Sequence, residues 1–517
     1  MIFHFLLKVE KIIKKQNKIR LRFQQQIKLG ITPISEVNLN IKSRHGLVPV
    51  LRALQYVFNT KELNEEIFQI LEEDVFAKIK KTGRYGMSMW EILVLGIVRL
   101  SQNMDFDQLH DMANEHSALR GILGVRQNDY SSGKQYSLQS IKDNVQLLGE
   151  ATIYKISAVI VSGSHGLIKK KEGLDCLNLQ IKADSFVVES NIHFPTDLNL
   201  LRDSLCKSLE TVGYFIKAGF DISAGSKWRS WKRKTLNSYR TVSEIHRKKG
   251  GNYNERLKES TSSYLELSEK IKIKVSESIL QLSVNESNNG GLTEIEQRKK
   301  EELLFFLSML EKHIDLVRRR IILGEEIPAR EKIYSIFELH AEWNSKGKVN
   351  KPVELGHNVL VATDQYNFML YAKVYEKEVD KQQTIQIGQI LEKNYGQTNE
   401  LGGISFDKNF YSHPAEKSLE QKFKIVVLPK PGRPSKRELA KSGNIDYQDL
   451  KRAHSGIEGN INQLEQNGLD ICPDKGIDGF KRYVAYGVLS YNLHKLGMML
   501  VLAERKAAKK LRRAKRA

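Results

Sequence analysis

Asp184 closes an alternating apolar run, Leu177, Leu179, Ile181 and Ala183, and opens the stretch DSFVVESNIHFPTDLNLL. A carboxylate at the end of a buried strand must have its charge satisfied, and a metal ion is one way to do so. Asp407 repeats the arrangement after Ile404-Ser405-Phe406. Glu458 then falls in a helical pattern with Lys451, His454, Asn462 and Glu465, spaced so that all five share one stripe. Ile457, Ile461 and Leu464 form the adjacent core-facing stripe, which leaves Glu458 on a polar edge. Three carboxylates, two at strand ends and one on a helix, form the ligand set of a two-metal phosphoryl-transfer site. Two Mg²⁺ or Mn²⁺ ions about 4 Å apart can activate an oxygen nucleophile and stabilise a leaving oxygen. The plainer alternative for Glu458 is a solvated helix face that happens to carry Glu and Lys.

The chain around these acids has 517 residues and 21 more basic than acidic side chains. That length predicts several domains with a core that needs no staples. The basic excess predicts a polyanionic partner, and for phosphoryl transfer that partner is DNA. Cys176, Cys206 and Cys472 lie far apart without metal-binding spacing, so the expectation is a reducing cytoplasm and no zinc site. The start, MIFHFLLKVEKIIKKQ, has no basic stretch ahead of its apolar residues and reads as a basic amphipathic helix. Tyr483 to Leu502 is apolar but is interrupted by Asn492, His494 and Lys495, which predicts a buried helix and no membrane span.

The periodicity predicts helices up to about residue 175. Trp90, Leu93, Ile97 and Leu100 repeat at three to four; Asp105 can cap a helix carrying Leu109 and Met112; Ser137 can cap one carrying Ile141, Val145, Leu148, Ile153 and Ile156. From Leu177 the period becomes two. Residues 226–328 predict a helical hairpin insertion, with Thr293 and Glu296 as a capping box. Strands are expected at Val353–Ala362, Asn367–Tyr375, Gly403–Asp407 and Phe423–Leu428, with a helix from Lys381 to about Asn394. PKPGRPSK ends the sheet region, and helices begin near Asp446 and Gly479. This element order is that of an RNase H-like mixed sheet.

Several segments resemble DDE transposases of bacterial insertion sequences. KADSFVVESNIHFPTDLNLL resembles their first catalytic strand, and IYSIFELHAEWNSKGKVNKPVELGHNVLVATDQYNFML their second and third. SFDKNFYS resembles the segment of the second aspartate, and KRAHSGIEGNINQLEQNGLDICPDKGIDGFKRYVAYGVLSYNLHKLG the glutamate helix and C-terminal end. RYGMSMWEILVLGIVRLSQNMDFDQLHDMANEHSALRGILG resembles the N-terminal domain of the ISNCY-type group. The resemblance runs from about residue 45 to 500 and is weakest through the hairpin.

It implies an α+β multidomain chain. Residues 1–175 would be an all-helical DNA-binding domain. An RNase H-like catalytic core would occupy 176–225 and 329–504, interrupted by the helical-hairpin insertion at 226–328, and 505–517 would be a basic tail. It further implies that Asp184, Asp407 and Glu458 are the metal-binding triad. The wider family's Tyr-Arg-Glu-Lys pattern is matched only at Glu458: Lys451, His454 and Glu465 hold the other positions. His454 could contact the scissile phosphate or orient Glu458. The implied activity is binding of terminal inverted repeats, cleavage at the element ends and joining of the 3′-OH to target DNA, by a homodimer or larger oligomer in a bacterial cytoplasm. The alternatives are a nuclease of the same fold that does not join, and an inactive DNA-binding derivative.

Other residues can contact DNA or compete for metal. Lys227, Trp228, Arg229, Trp231, Lys232, Arg233 and Lys234 can grip a backbone and stack on an unpaired base; equally, the tryptophans can belong to a core. Lys346, Lys348 and Lys351 precede a strand and can line a DNA channel, and Lys451 can add a phosphate contact. Asp364 lies in DQYN, where a turn explains it; Asp380 starts a helix; Glu189 and Asp197 flank the first motif.

Overall fold

The computed structural model describes residues 30–78, 87–127, 134–288, 291–345, 352–433 and 436–514. The expected N-terminal amphipathic helix and Lys346, Lys348 and Lys351 lie outside them. The chain is α+β with a mixed seven-stranded sheet. It forms two compact units, Met1–Asn191 with Asn344–Ala517, and Ile192–Trp343.

In the first unit, seven helices precede the first strand: α1 (Leu47–Asn59), α2 (Lys61–Lys78), α3 (Met89–Ser101), α4 (Phe106–Glu115), α5 (Ser117–Ile122), α6 (Leu138–Val145) and α7 (Glu150–Glu172). Reciprocal capping boxes start α3 (Ser88 with Glu91) and α4 (Asp105 with Gln108), each satisfying two orphan backbone donors. The apolar stripe Trp90, Leu93, Ile97 and Leu100 is buried as its period requires. The single helix expected from Ser137 through Ile156 is two helices, bent by 80°. Gly149 is extended at the break, and its N–H donates to Asp74 Oδ2 at 3.0 Å, so the backbone leaves the helical path while Leu148 and Ile153 both stay buried. Among the described residues no single helix is long and apolar enough to cross a membrane.

Strand β1 (Asn178–Ser190) does not end at Asp184, as its alternation suggested. Leu179, Ile181 and Ala183 face one apolar layer, whereas Phe186 and Val188 face the other. The apolar side chains change from odd to even positions because helices cover both faces of the sheet, so the strand continues through the point where the pattern breaks.

The chain then passes through the second unit: α8 (Asp197–Lys217), α9 (Trp228–Lys248), α10 (Tyr253–Asn288) and α11 (Glu294–Val317). The expected insertion, 226–328, is too short. Leu201, Leu205, Leu209 and Phe215 of α8 share one core with Tyr264, Ile271 and Val275 of α10 and with Leu303, Leu310 and Ile314 of α11, so α8 belongs with the hairpin. The Thr293–Glu296 capping box forms as read.

The remaining elements are β2 (Glu342–Ser345), β3 (Val353–Thr363), β4 (Met369–Val374), α12 (Asp380–Tyr395), β5 (Glu400–Ser405), α13 (His413–Glu420), β6 (Ile425–Val427), α14 (Lys436–Lys441), α15 (Ile445–Ala453), α16 (Gly456–Leu464), β7 (Ile471–Cys472) and α17 (Gly476–Ala514). The sheet order is β2-β3-β1-β5-β6, with β4 beside β3 and β7 beside β1. β3 runs antiparallel to β1 and β4; β5 runs parallel to β1 and β6. α12 and α13 cover one face through Ile387, Leu391 and Leu419. The other face lies under α16 and α17 and shares its core with α1 and α3, so the expected boundary at residue 175 does not separate two compact bodies. α17 passes close to α1: a Cβ at Gly497 would stand 1.8 Å from the Pro49 carbonyl oxygen. The expected basic tail continues α17 as helix to Ala514.

Candidate active site

Parallel register brings the first two acids to one level. Lys182 of β1 pairs with Ser405 of β5, so Asp184 and Asp407 each follow by two residues on adjacent strands. Side chains two apart share a face, and parallel strands lie about 4.8 Å apart. Ser405 belongs to the face under α16: its hydroxyl stands 3.0 Å from His454 Nδ1. Asp407 follows the end of β5 in extended backbone and leads into the 3-10 turn Lys408–Phe410. It is exposed, whereas Asp184, within its strand, is half-buried and accepts from the Ser185 N–H at 2.7 Å.

The third acid comes from a helix that the sheet fixes. α15 ends at Ala453, His454 and Ser455 form a turn, and α16 begins at Gly456. The one continuous stripe from Lys451 to Glu465 is therefore split between two helices, with Lys451 exposed on the first and Glu458 exposed in the first turn of the second. Ile457 and Leu464 bury the opposite side of α16. Asn460 clamps the helix: its Nδ2 donates to Thr363 Oγ1 at 3.2 Å, and its Oδ1 accepts from Tyr491 Oη at 3.1 Å. Thr363 is the β3 partner of Lys182, so the clamp ties α16 to the strand beside the one carrying Asp184, and through Tyr491 to α17.

His454 senses this group of charges. Burial lowers its pKa, the Asp407 carboxylate opposes that, the Lys182 ammonium adds to the lowering, and Glu458 opposes it. Lys182 is buried beneath the start of α16: a Cβ on Gly456 would lie 3.4 Å from its Nζ. Desolvation depresses its pKa, and Asp364 partly restores it. The sequence reading passed over Lys182, although its place two residues before Asp184 was a sufficient signal. Ser405 and Asn460 carried no such signal, because their roles depend on strand register and on the packing of α16.

The donor set suits a hard divalent cation, since Asp184, Asp407 and Glu458 offer only carboxylate oxygen. As the side chains stand, no group of three or more His, Cys, Asp or Glu among the described residues is gathered closely enough to hold a metal ion. Two of the three acids are exposed on rigid backbone and have room to turn toward a ligand. Three of the competing acids, Asp364, Asp380 and Asp197, are otherwise engaged. Asp364 is wholly buried in the β3–β4 turn and pairs with His165 at 2.7 Å, as a turn residue should. Asp380 accepts from Tyr375 Oη at 3.0 Å at the start of α12, and Asp197, in the second unit, pairs with Arg320 at 2.7 Å.

The basic cluster of α9 lies in the second unit. The Trp228 ring rests on Gly213, where a Cβ would be 2.5 Å from it, and Trp231 also packs against that unit's core. Lys232 is paired with Glu210 at 2.6 Å, while Lys227, Arg229, Arg233 and Lys234 are exposed. This is the arrangement of an amphipathic helix whose tryptophans serve the core and whose cations face outward. No family model matches the chain, and neither a curated protein nor a solved structure matches it.

Proposed function

We propose that the chain is a DDE-type transposase with an RNase H-like catalytic core. The observation that carries this reading is the level placement of Asp184 and Asp407 on adjacent parallel strands, facing the helix that presents Glu458. Ligand sites of open α/β sheets favour the carboxyl ends of parallel strands. A mixed sheet whose first strand is flanked by an antiparallel hairpin on one side and two parallel strands on the other agrees with the RNase H-like assignment.

Asp184, Asp407 and Glu458 would hold Mg²⁺ or Mn²⁺, which supplies activation of an oxygen nucleophile and stabilisation of the leaving oxygen. The chain's own groups do the rest. Ser405 holds one ring nitrogen of His454, which fixes the ring beside Asp407 and Glu458. Lys182 places its amino group under the start of the helix that presents Glu458, where its protonated form would favour an anionic phosphodiester. The exposed cations of α9, Lys451 and the basic end of α17 add sequence-independent affinity for duplex DNA. The proposed partners are terminal inverted repeats and target DNA, bound by a homodimer or larger oligomer in a bacterial cytoplasm.

The test is cleavage of a labelled duplex carrying the element's own ends, with and without Mg²⁺, followed by a strand-transfer assay. Asp184→Ala, Asp407→Ala and Glu458→Ala are each expected to abolish cleavage while DNA binding persists. Near-wild-type cleavage by any of them removes that residue from the site. Cleavage without joining would make the chain a nuclease. Binding without cleavage under Mg²⁺ or Mn²⁺ would make it an inactive derivative.

A further inference from the structure

The second unit contains an open cleft of about 970 Å³, lined by the loop before α8, by α9, by the start of α10 and by residues 320–343. That volume is at the top of the range of roughly 300–1,000 Å³ usual for ligand sites. Two features of its wall stand out. Phe194 and Trp343 are 59 % and 39 % exposed, although large apolar rings are normally covered. Trp343 is held by Phe194, edge-to-face at 5.9 Å between centroids, and by Tyr334 at 5.5 Å, so the exposed ring sits on a firm aromatic support.

The second feature is charge. Arg240 and Arg247 lie on the same side of α9, and Lys332 stands elsewhere on the wall. None of the three pairs with a carboxylate among the described residues. Glu244 lies between the arginines without an ion pair to either, and Arg320 is already neutralised by Asp197 at 2.7 Å. The cleft therefore offers unpaired cations beside a supported, solvent-facing aromatic cluster. A double helix presents phosphates but hides its base faces. A single strand presents both phosphates and flat rings that stack on aromatic side chains.

We infer that this cleft binds an unpaired stretch of a DNA strand, its bases stacking on Trp343 and Phe194 and its phosphates meeting Arg240, Arg247 and Lys332. The choice of DNA over RNA rests on the proposed function; the cleft and its chemistry do not. The rings of the WRSWKRK segment are less open to a base than Trp343, because Trp228 and Trp231 are half-buried against the core.

The experiment is fluorescence anisotropy with the full chain, without divalent metal, using labelled oligo-dT, a fully paired duplex of equal length and oligo-U RNA. The double variant Phe194→Ala/Trp343→Ala is expected to weaken oligo-dT binding about tenfold and to leave duplex binding unchanged. Trp343→Phe, which keeps a flat ring, should retain most of the affinity. If the double variant does not fold, Trp343→Leu carries the same expectation, since it keeps apolar volume without a stacking face. Replacing Arg240, Arg247 and Lys332 by alanine should flatten the salt dependence of oligo-dT binding by about 0.7 per lost phosphate contact. Equal losses for oligo-dT and duplex, no loss for either, or tighter binding of the RNA would overturn the inference. Absent cleavage with intact, Trp343-dependent oligo-dT binding would remove the transposase reading and leave this site. Normal cleavage with oligo-dT binding indifferent to Trp343 would do the reverse.

Discussion

Asp364, at the β3–β4 turn, and the trio Asp184, Asp407 and Glu458 are acids used in opposite ways. Asp364, at the end of β3, has every oxygen engaged: Oδ1 accepts from the Tyr366 and Phe368 N–H groups at 2.9 and 2.8 Å, and Oδ2 meets His165 Nε2 at 2.7 Å. Asp184 pairs in register with Val361 of the same β3, yet it is half-buried, and its companions Asp407 and Glu458 are exposed. Asp364 is spent on the fold, closing a turn and anchoring α7 to the sheet. The Asp407 and Glu458 carboxylates are exposed, and Asp184 is half-buried with one oxygen on the Ser185 N–H. An acid that closes a turn in the interior is committed to the fold, whereas an exposed acid at a strand end or in the first turn of a helix stays open to a ligand.

The sharpest way to break that contrast is to exchange its two outcomes. Asp184→Asn is expected to lower cleavage by roughly a thousandfold or more, because ligands of one site act as a unit. Its denaturation midpoint in urea should stay near wild type. Asp364→Ala should do the opposite and destabilise the first unit by about 3–5 kcal/mol, since it strands a buried partner and two turn N–H groups. Chemical denaturation of both variants measures this, and equal losses would erase the distinction.

Lys182 sharpens the contrast from the other side. Its side chain makes no hydrogen bond or ion pair among the described residues, although the residue is buried. Lys182→Met keeps the stem and removes the charge. Stability should be unchanged or higher, because desolvating the ammonium costs free energy that Asp364 offsets only in part. On the proposed function cleavage should fall, because a group that would favour an anionic phosphodiester is lost. Reduced stability with full cleavage would make Lys182 a structural residue.

The smallest expected effect concerns a second His–Asp pair, His193 and Asp203, 2.6 Å apart in the second unit. Unlike His165, His193 is substantially exposed. The hydrogen bond to Asp203 raises the His193 pKa against the opposing effect of burial. Burial alone would raise Asp203, but hydrogen bonds from His193 and Arg202 hold it below its ordinary value. The histidine therefore adds stability that is complete below its unfolded value of about 6.5 and is lost as pH rises through its higher folded value. The aspartate adds stability that is present above the ordinary carboxyl range and is lost as pH falls through its depressed value. His193→Gln should remove the alkaline loss, read as melting temperature against pH. An unchanged profile would mean that the pair contributes nothing at this exposure.

Much of this arrangement was legible in the chain. The helices around Trp90 and Asp105, the Thr293–Glu296 box and the strand beginning near Leu177 follow from local periodicity and capping, which act over a few residues. The extent of β1 beyond Asp184 was not legible, because alternation presumes one buried face and this strand has two. The break at His454–Ser455 was missed because both residues keep helical dihedral angles, so the stripe from Lys451 to Glu465 looks continuous. The membership of α8 in the second unit and the cleft beside it depend on distant segments meeting, which no local pattern encodes.

α17 has a consequence for how the molecule is made. This 39-residue helix supplies Tyr483, Tyr486, Leu489 and Leu493 to the core that α1 and α3 also build. Protein chains leave the ribosome N-terminus first, and segments usually fold as they emerge. Here α1 and α3 must wait for α17, about 400 residues later, before their apolar faces are covered. Glu458 also arrives late. A chain released early would expose unfilled core from the start of the sequence and would lack the third acid. The order of synthesis thus separates the two halves of this core: the apolar faces of α1 and α3 emerge well before the α17 side chains that cover them.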